Sequence, residues 1–548
     1  MLLRLKRIFA LFISIMLISL CGCNKAVTDS SQASSNDPPV TDTQSAVFER
    51  NSFEALLDGD GRIISGKQIA LTASSVKKNS DGRRYISHNG KPYFFNSFYW
   101  NLSAWHSEKW VTAENIYKIF EEGFAGAHDA GYRSISLGID WAVFYDGSKY
   151  NFSAYEIYYD LAKKYDMSVQ LIWNGYNYSG GCRFMPWQID RSVYTALKLD
   201  DVKLNREIPD LSRQIYIDEE ADALNQLCAW LNYYDRDART VSIQLADAPN
   251  SDSGIGKYWS GQFSNMLNLL DRLGKTVKEA SYRMVTCVSL STLDYTEEID
   301  GLSYSERLHR LIDSEGIDMV GMSGRTLELA NLSSFEYGNN IPYLSALAPV
   351  TSRFISQSAD AVANGYGIGV YELKSFGSDY DLGLYQMNTE GWVKREEGFL
   401  NGALFGKEII TESNFDEIAS VNKCYNAVSQ LLATLHPSDI ITYNLNQDVP
   451  YSNLRELGNI DIIFTCTQDE ALSQSFGSVA MALIDVYGAY YFFASRSGAS
   501  FLIDGDISEV TVGSYVDGAW IPSDENVTIS ESNSITVESG KVYRLLLK

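Results

Sequence analysis

The chain has 548 residues, 45% of them hydrophobic and 13% aromatic, and a formal net charge of −24. That acidity excludes nucleic acid and anionic surfaces as ligands, since like charge meets them instead of counterion release; neutral glycans remain compatible. The length suffices for one large domain and a smaller one.

Arg4, Lys6 and Arg7 precede an apolar run from Ile8 to Leu20, the charged start and short greasy core of a secretory signal. The run is too short to span a bilayer comfortably. It closes on Leu20, Cys21, Gly22 and Cys23, which looks like a bacterial lipobox, with a small residue before the cleaved bond and a modifiable cysteine after it. This predicts a signal peptide over residues 1–22 and lipidation of Cys23. The exported chain would be lipid-anchored to the bacterial cell membrane, at the cell surface or on the periplasmic face. From Cys23 to about Ala46 the polar composition cannot bury enough apolar surface to order itself and predicts a tether over residues 23–46.

Short apolar runs then alternate with helical patterns, the signature of βα units around a parallel sheet. Eight strands are expected, at about Tyr93 to Tyr99, Ser134 to Ile139, Ser168 to Trp173, Thr240 to Leu245, Arg283 to Ser289, Ile317 to Met322, Ile341 to Ser345 and Gly367 to Leu373. Helical periodicity falls between them at Ala113 to Ala130, Ala154 to Tyr165, Asp218 to Asn232, Tyr258 to Ala280, Tyr304 to Ser314 and Val350 to Ala363, and after them at Phe415 to Leu435. Eight is the number that closes a barrel, so the fold class is α/β, a (β/α)8 TIM barrel over residues 47–438. From Asp439 strand patterns with Gly, Asp and Ser turns take over, as at Val479 to Val486, Ala489 to Ala494 and Val542 to Leu547, predicting a small C-terminal β-sandwich over 439–548.

Beyond the lipobox, Cys182, Cys228, Cys287, Cys424 and Cys466 are scattered singly and odd in number, which does not suggest a disulfide framework. The histidines show no metal-ligand spacing, so no metal is expected, and nothing calls for a cofactor.

Four stretches carry a resemblance: Asn89-Gly90-Lys91-Pro92-Tyr93-Phe94-Phe95; Trp141 with Tyr150-Asn151-Phe152; Asn174-Gly175-Tyr176 with Gly180-Gly181 and Pro186-Trp187; and Asp237-Ala238-Arg239-Thr240-Val241 leading into Gln244. In that order on a counted barrel, they resemble the β-galactosidase-like members of the retaining glycoside hydrolase clan. The resemblance implies two carboxyl groups about 5 to 5.5 Å apart, one protonating the leaving oxygen and one attacking the anomeric carbon, after strands four and seven. The family's strand-four stretch ends Glu, Asn, Glu, with the last Glu as acid/base. Here Ala246, Asp247 and Ala248 stand there, followed by Pro249 and Asn250. Strand seven of the family ends on the nucleophile, yet no carboxylate occurs between Ile341 and Pro349.

The sequence therefore predicts a membrane-anchored, carbohydrate-binding lipoprotein on a degenerate glycosidase barrel, with a glycan or oligosaccharide as partner and no nucleic acid. Trp100, Trp141, Trp173 and Trp187 fall at or just after strands one to three, where indole faces could stack on sugar rings, burial in the core being the alternative for any one of them. Asn174 and Tyr176 open a long segment expected to wall the cleft, and Asp247, Asn250 and Glu372 are the expected hydrogen-bonding groups. Two other readings stay open: an active glycosidase with Glu372 as relocated nucleophile or base and Asp247 as acid, or a non-catalytic assembly lipoprotein that binds proteins. The acidic run Asp218 to Asp222 is expected to be a solvated helix start.

Overall fold

The computed structural model describes residues 58, 62–63, 69–100, 116–145, 147–175, 197–198, 207–208, 211–247, 263–291, 301–323, 340–347, 354–371, 374–375, 385–388, 391–394, 398–399, 409–410, 412–445, 454–466, 478–525, 527 and 533–548. Eight parallel strands close into a barrel: β1 (Asn96–Trp100), β2 (Ser134–Asp140), β3 (Ser168–Asn174), β4 (Thr240–Asp247), β5 (Val285–Ser291), β6 (Met319–Ser323), β7 (Tyr343–Leu347) and β8 (Gly367–Tyr371). Each pairs with its successor, and β8 closes on β1 from Ile368↔Asn96 to Tyr371↔Tyr99. Closure removes both sheet edges. This is the (β/α)8 barrel the alternating pattern predicts, strand for strand.

Helices α1 (Ile116–Asp129), α2 (Glu156–Lys164), α3 (Gln214–Tyr234), α4 (Phe263–Glu279), α5 (Tyr304–Ile312) and α6 (Phe354–Ala363) follow β1 to β5 and β7, and α7 (Glu412–Ala427) and α8 (Ser429–Thr434) follow β8. In α4 the buried residues Phe263, Met266, Leu269, Leu270, Leu273 and Val277 recur at helical spacing and form the stripe laid on the barrel. Helix α5 starts at a capping box, with the Ser303 side chain on the Glu306 amide and the Glu306 carboxylate on the Ser303 amide.

Strand one begins later than the sequence suggests. Lys91–Tyr93 belongs instead to a three-stranded antiparallel sheet with Ser74–Lys78 and Arg84–His88. Asn89 and Gly90 make its tight turn with φ of 50° and 79°, the left-handed pair a two-residue hairpin requires. This sheet stoppers the N-terminal mouth of the barrel. Ile86 packs with Phe95, Val241, Val285, Cys287, Met319 and Tyr343. The Ser74 hydroxyl donates to the Val241 carbonyl and accepts from the Val285 amide at 2.8 Å.

Above this layer the barrel is filled by small polar side chains that satisfy one another. Ser97 and Ser136 share a hydrogen bond at 2.7 Å, Ser136 donates to Gln170 Oε1 at 2.7 Å, and Gln170 Nε2 reaches Cys287 Sγ at 3.3 Å. Opposite, the Tyr343 hydroxyl donates to Gln244 Oε1 and Gln244 Nε2 to Ser289 Oγ, both at 3.2 Å. Tyr343 has room because β6 offers Gly321, where an added Cβ would lie 2.5 Å from its ring. Burial pushes the Cys287 thiol up to about 12, so it stays protonated. Cys228, Cys287 and Cys424 are all buried free thiols.

From Ile440 the chain builds two antiparallel sheets, one of six strands and one of four. Ala482, Phe492 and Leu545 of the first face Ile462, Phe464 and Phe501 of the second. The other side of the six-stranded sheet, through Met481, Leu483, Tyr491 and Phe493, joins the core of the barrel helices. Polar contacts reinforce that joint: Thr442 donates to Asp360 of α6 and Ser495 to Glu417 of α7, both at 2.7 Å.

Replacing Ser74 by Ala leaves the Val241 carbonyl and the Val285 amide unmet inside the base. The Ser74→Ala chain is expected to lose about 2 kcal/mol of stability, measured as a lower urea midpoint at unchanged slope.

Candidate functional site

In a barrel of this kind ligands are received at the C-terminal ends of the strands. The inward side chains follow from the pairing: β2 sets Ser136 beside Gln170, Gly138 beside Ile172 and Asp140 beside Asn174 of β3. Tyr99 and Ile172 form a small apolar layer above the polar filling. At the level of the strand ends Asn174 Nδ2 donates to Asp140 Oδ1 at 2.6 Å. Gly138 makes room for this pair, since a Cβ there would lie 3.1 Å from Asn174 Nδ2. Behind them the Tyr155 hydroxyl accepts from the Asp140 amide at 2.8 Å and the Tyr158 hydroxyl donates to the Gly138 carbonyl at 3.0 Å. Burial, with the Asp140 charge adding to it, holds both phenols well above their ordinary range, so they serve as fixed neutral groups.

Asn174 is the last residue of β3 and not the first of the segment after it, and Asp140 is a partner that reasoning from sequence missed. The alternation Ser134, Ser136, Gly138, Asp140 was the available signal, because it puts a carboxylate last on the inward face of β2.

Two of the four expected stacking platforms are corrected. Trp141 and Trp173 are 0% and 1% exposed and lie between the barrel wall and its helices, ring centroids 6.4 Å apart. Inward Ile172 and Asn174 force Trp173 outward, where it meets Phe144 at 5.9 Å, while Trp141 meets Tyr216 at 6.3 Å. Tyr150 and Phe152 are also packing residues: Phe152 stacks on Phe144 at 4.7 Å and Trp230 at 5.2 Å, and Tyr150 donates to Asp222 at 2.9 Å. Of Trp100 and Asp247 only the backbone is described, at the ends of β1 and β4. Tyr176, Trp187, Asn250, Glu372 and Cys23 lie outside the described residues.

The acidic run Asp218 to Asp222 is not a helix start, because α3 begins at Gln214. Glu220, four residues after buried Tyr216, is on the apolar face and 0% exposed. Its Oε1 accepts from Trp173 Nε1 at 2.7 Å, and burial pushes its carboxyl up to about 7. Glu219 and Asp222 look to the other side, toward Arg62, which pairs with Asp222 at 3.4 Å. No group of three or more His, Cys, Asp or Glu able to hold a metal ion occurs among the described residues.

No protein-family model matches the chain, and no curated protein does. Among solved structures, a β-galactosidase from Bacillus circulans sp. alkalophilus is similar at 12% identity and a TM-score of 0.44, over 63% of this chain and 57% of that one. A family 39 glycoside hydrolase from Bacteroides cellulosilyticus is similar at 10% identity and a TM-score of 0.40, over 87% of each chain. An exo-β-1,4-mannosidase from an Opitutaceae bacterium is similar at 12% identity and a TM-score of 0.40, over 69% of this chain, which spans 63% of that one. Likenesses at this level assign no residue a role.

Glu220 makes stability depend on pH. Its carboxyl sits at about 7 when folded against an ordinary 4.5, so the folded state binds the extra proton and stability falls as pH rises from the lower value through the higher one. The loss is at most about 3 kcal/mol, reached if the carboxyl keeps its seat throughout. Urea unfolding on either side of that window is expected to show that loss in the wild type and its removal in Glu220→Gln.

Proposed function

We propose that the chain is a lipid-anchored glycan-binding protein whose barrel captures carbohydrate without cleaving it. The observation that carries this reading is the make-up of β4 and β7. In the retaining clan that the sequence resembles, these two strand ends bear the catalytic pair. Here β4 ends on Asp247 ahead of Ala248, and β7, Tyr343–Leu347, has no carboxylate. Protonating a leaving group and attacking an anomeric carbon takes two carboxyl groups about 5 to 5.5 Å apart, and a methyl group can do neither. What remains at the mouth suits hydrogen bonding to hydroxyls: the Asp140–Asn174 pair, held by two neutral phenols.

The anchor is read from Leu20-Cys21-Gly22-Cys23. Among the described residues no helix is long and apolar enough to cross a membrane; in this reading the lipid on Cys23 holds the chain there, at the cell surface or on the periplasmic face. Cys23→Ser is expected to abolish incorporation of labelled fatty acid and to move the chain out of the membrane fraction.

Binding and product release are to be followed in parallel with a panel of aryl glycosides and oligosaccharides. The expected outcome is binding without release, weakened about fivefold to tenfold by Asn174→Ala, as for one hydrogen bond lost. Release abolished by Glu372→Gln or Asp247→Asn would make the barrel an enzyme with relocated carboxylates. A chain that neither binds nor releases sugar would return the assembly role.

A further inference from the structure

The end of β3 is held by a group that no ligand reading uses. The chain leaves the barrel wall at Asn174 and passes through Gly175 toward Tyr176. There α3 presses the Glu220 carboxyl onto the backbone: a Cβ on Gly175 would lie 1.9 Å from Glu220 Oε1 and 2.7 Å from its Cδ. Only glycine leaves that seat open. The same Oε1 takes the Trp173 indole N–H at 2.7 Å, tying the last turn of the strand to the helix.

The seat is poor for a charge. Glu220 is wholly buried, its Trp173 and Tyr216 neighbours are neutral, and no salt bridge among the described residues reaches it. The groups facing it are Trp173 and Gly175 from β3 and Tyr216 from its own helix, backed by Trp141. Of these only the Tyr216 phenol titrates. Glu219 and Asp222 turn to the Arg62 side. An ionised carboxylate in that setting loses its hydration and recovers only the Trp173 indole and Tyr216 phenol as donors, which do not offset the burial, whereas a neutral acid gives up far less.

We propose that Glu220 is a proton-operated latch on the end of β3: as a neutral acid it clasps Trp173 and Gly175 to α3, and on giving its proton to solvent it leaves the seat and frees the strand end. Its titration near 7 sets the working range. A carboxyl at about 7 when latched and 4.5 when released makes the released fraction rise about tenfold per pH unit between those values and level off above them. The latch rests on β3 and α3 alone and is independent of whether the barrel takes a glycan.

The test uses the chain carrying fluorotryptophan, with the Trp173 resonance assigned by its loss in Trp173→Phe. The resonance is followed by fluorine NMR from about pH 5 to about pH 9, together with hydrogen exchange at the Gly175 amide corrected for intrinsic base catalysis. The Trp173 resonance is expected to shift with its midpoint near 7, and the opening of Gly175 to rise about tenfold per unit below that midpoint. In Glu220→Gln both are expected to be flat. A Trp173 resonance that stays put in the wild type, or shifts alike in Glu220→Gln, overturns the latch. Gly175→Ala gives an arm that does not depend on the glutamine variant folding: its methyl takes the carboxyl's seat, so the strand end is expected to be released at every pH. A wild-type titration retained in Gly175→Ala also overturns the proposal.

Discussion

Closing eight parallel strands leaves a space that only side chains can fill, and in this chain those side chains are mostly polar. Ser97, Ser136, Gln170 and Cys287 form one run of contacts and Tyr343, Gln244 and Ser289 another, all of them buried. A buried polar group is tolerable only when its partners are in place, so these runs fix the strands against one another. A slip of one residue in β2 would turn Ser136 out into the helix layer and bring Leu137 or Ile135 inside. The outer layer depends on the same register. Ile135, Leu137 and Ile139 are wholly buried because they alternate with the inward set.

That filling also decides which end of the barrel can receive anything. The base is stoppered by the sheet carrying Ser74 and Ile86, and the Tyr343 ring lies over Gly321 above it. Polar groups gather at the other end, where Asp140 and Asn174 meet. The six-stranded sheet of the C-terminal unit packs its outer face on the barrel helices. Its strands Val479–Ile484 and Tyr490–Ala494 are apolar almost without interruption because one face meets the second sheet and the other meets the barrel helices.

The barrel was legible because parallel strands buried on both faces leave strong apolar runs, and the spacing between them left no other count. Boundaries were less so. Lys91-Pro92-Tyr93 carries the same apolar signal as the strand it precedes, and only the left-handed pair Asn89-Gly90 separates them. Likewise Tyr282 and Arg283 pair with Leu71 and Thr72 outside the barrel. The site was less legible than the fold, because residue type and strand parity point in different directions there. Trp173 has the residue type of a sugar platform but the parity of the outer layer. Asp140 lacks the distinctive type and has the right parity. Glu220 was hidden by its neighbours: four acidic residues among five suggest solvent, and only the helical phase set by Tyr216 separates the buried one from the other three.

Strand parity also bears on the end of β4. Along β4 the pairing with β5 runs Gln244↔Cys287, then Ala246↔Val288 and Asp247↔Ser289, so one residue is extra and the strand carries a bulge. Simple alternation from Gln244 would give the inward register to Ala248. The bulge gives Asp247 the register of Ser289 instead, and Ser289 bonds to Gln244 inside the barrel. β4 therefore ends on a residue whose backbone register is shifted by one position. Across the mouth β7 offers only Tyr343, Leu344, Ser345, Ala346 and Leu347. One carboxylate can orient a hydroxyl or accept a proton, but it cannot stand on both sides of a glycosidic bond.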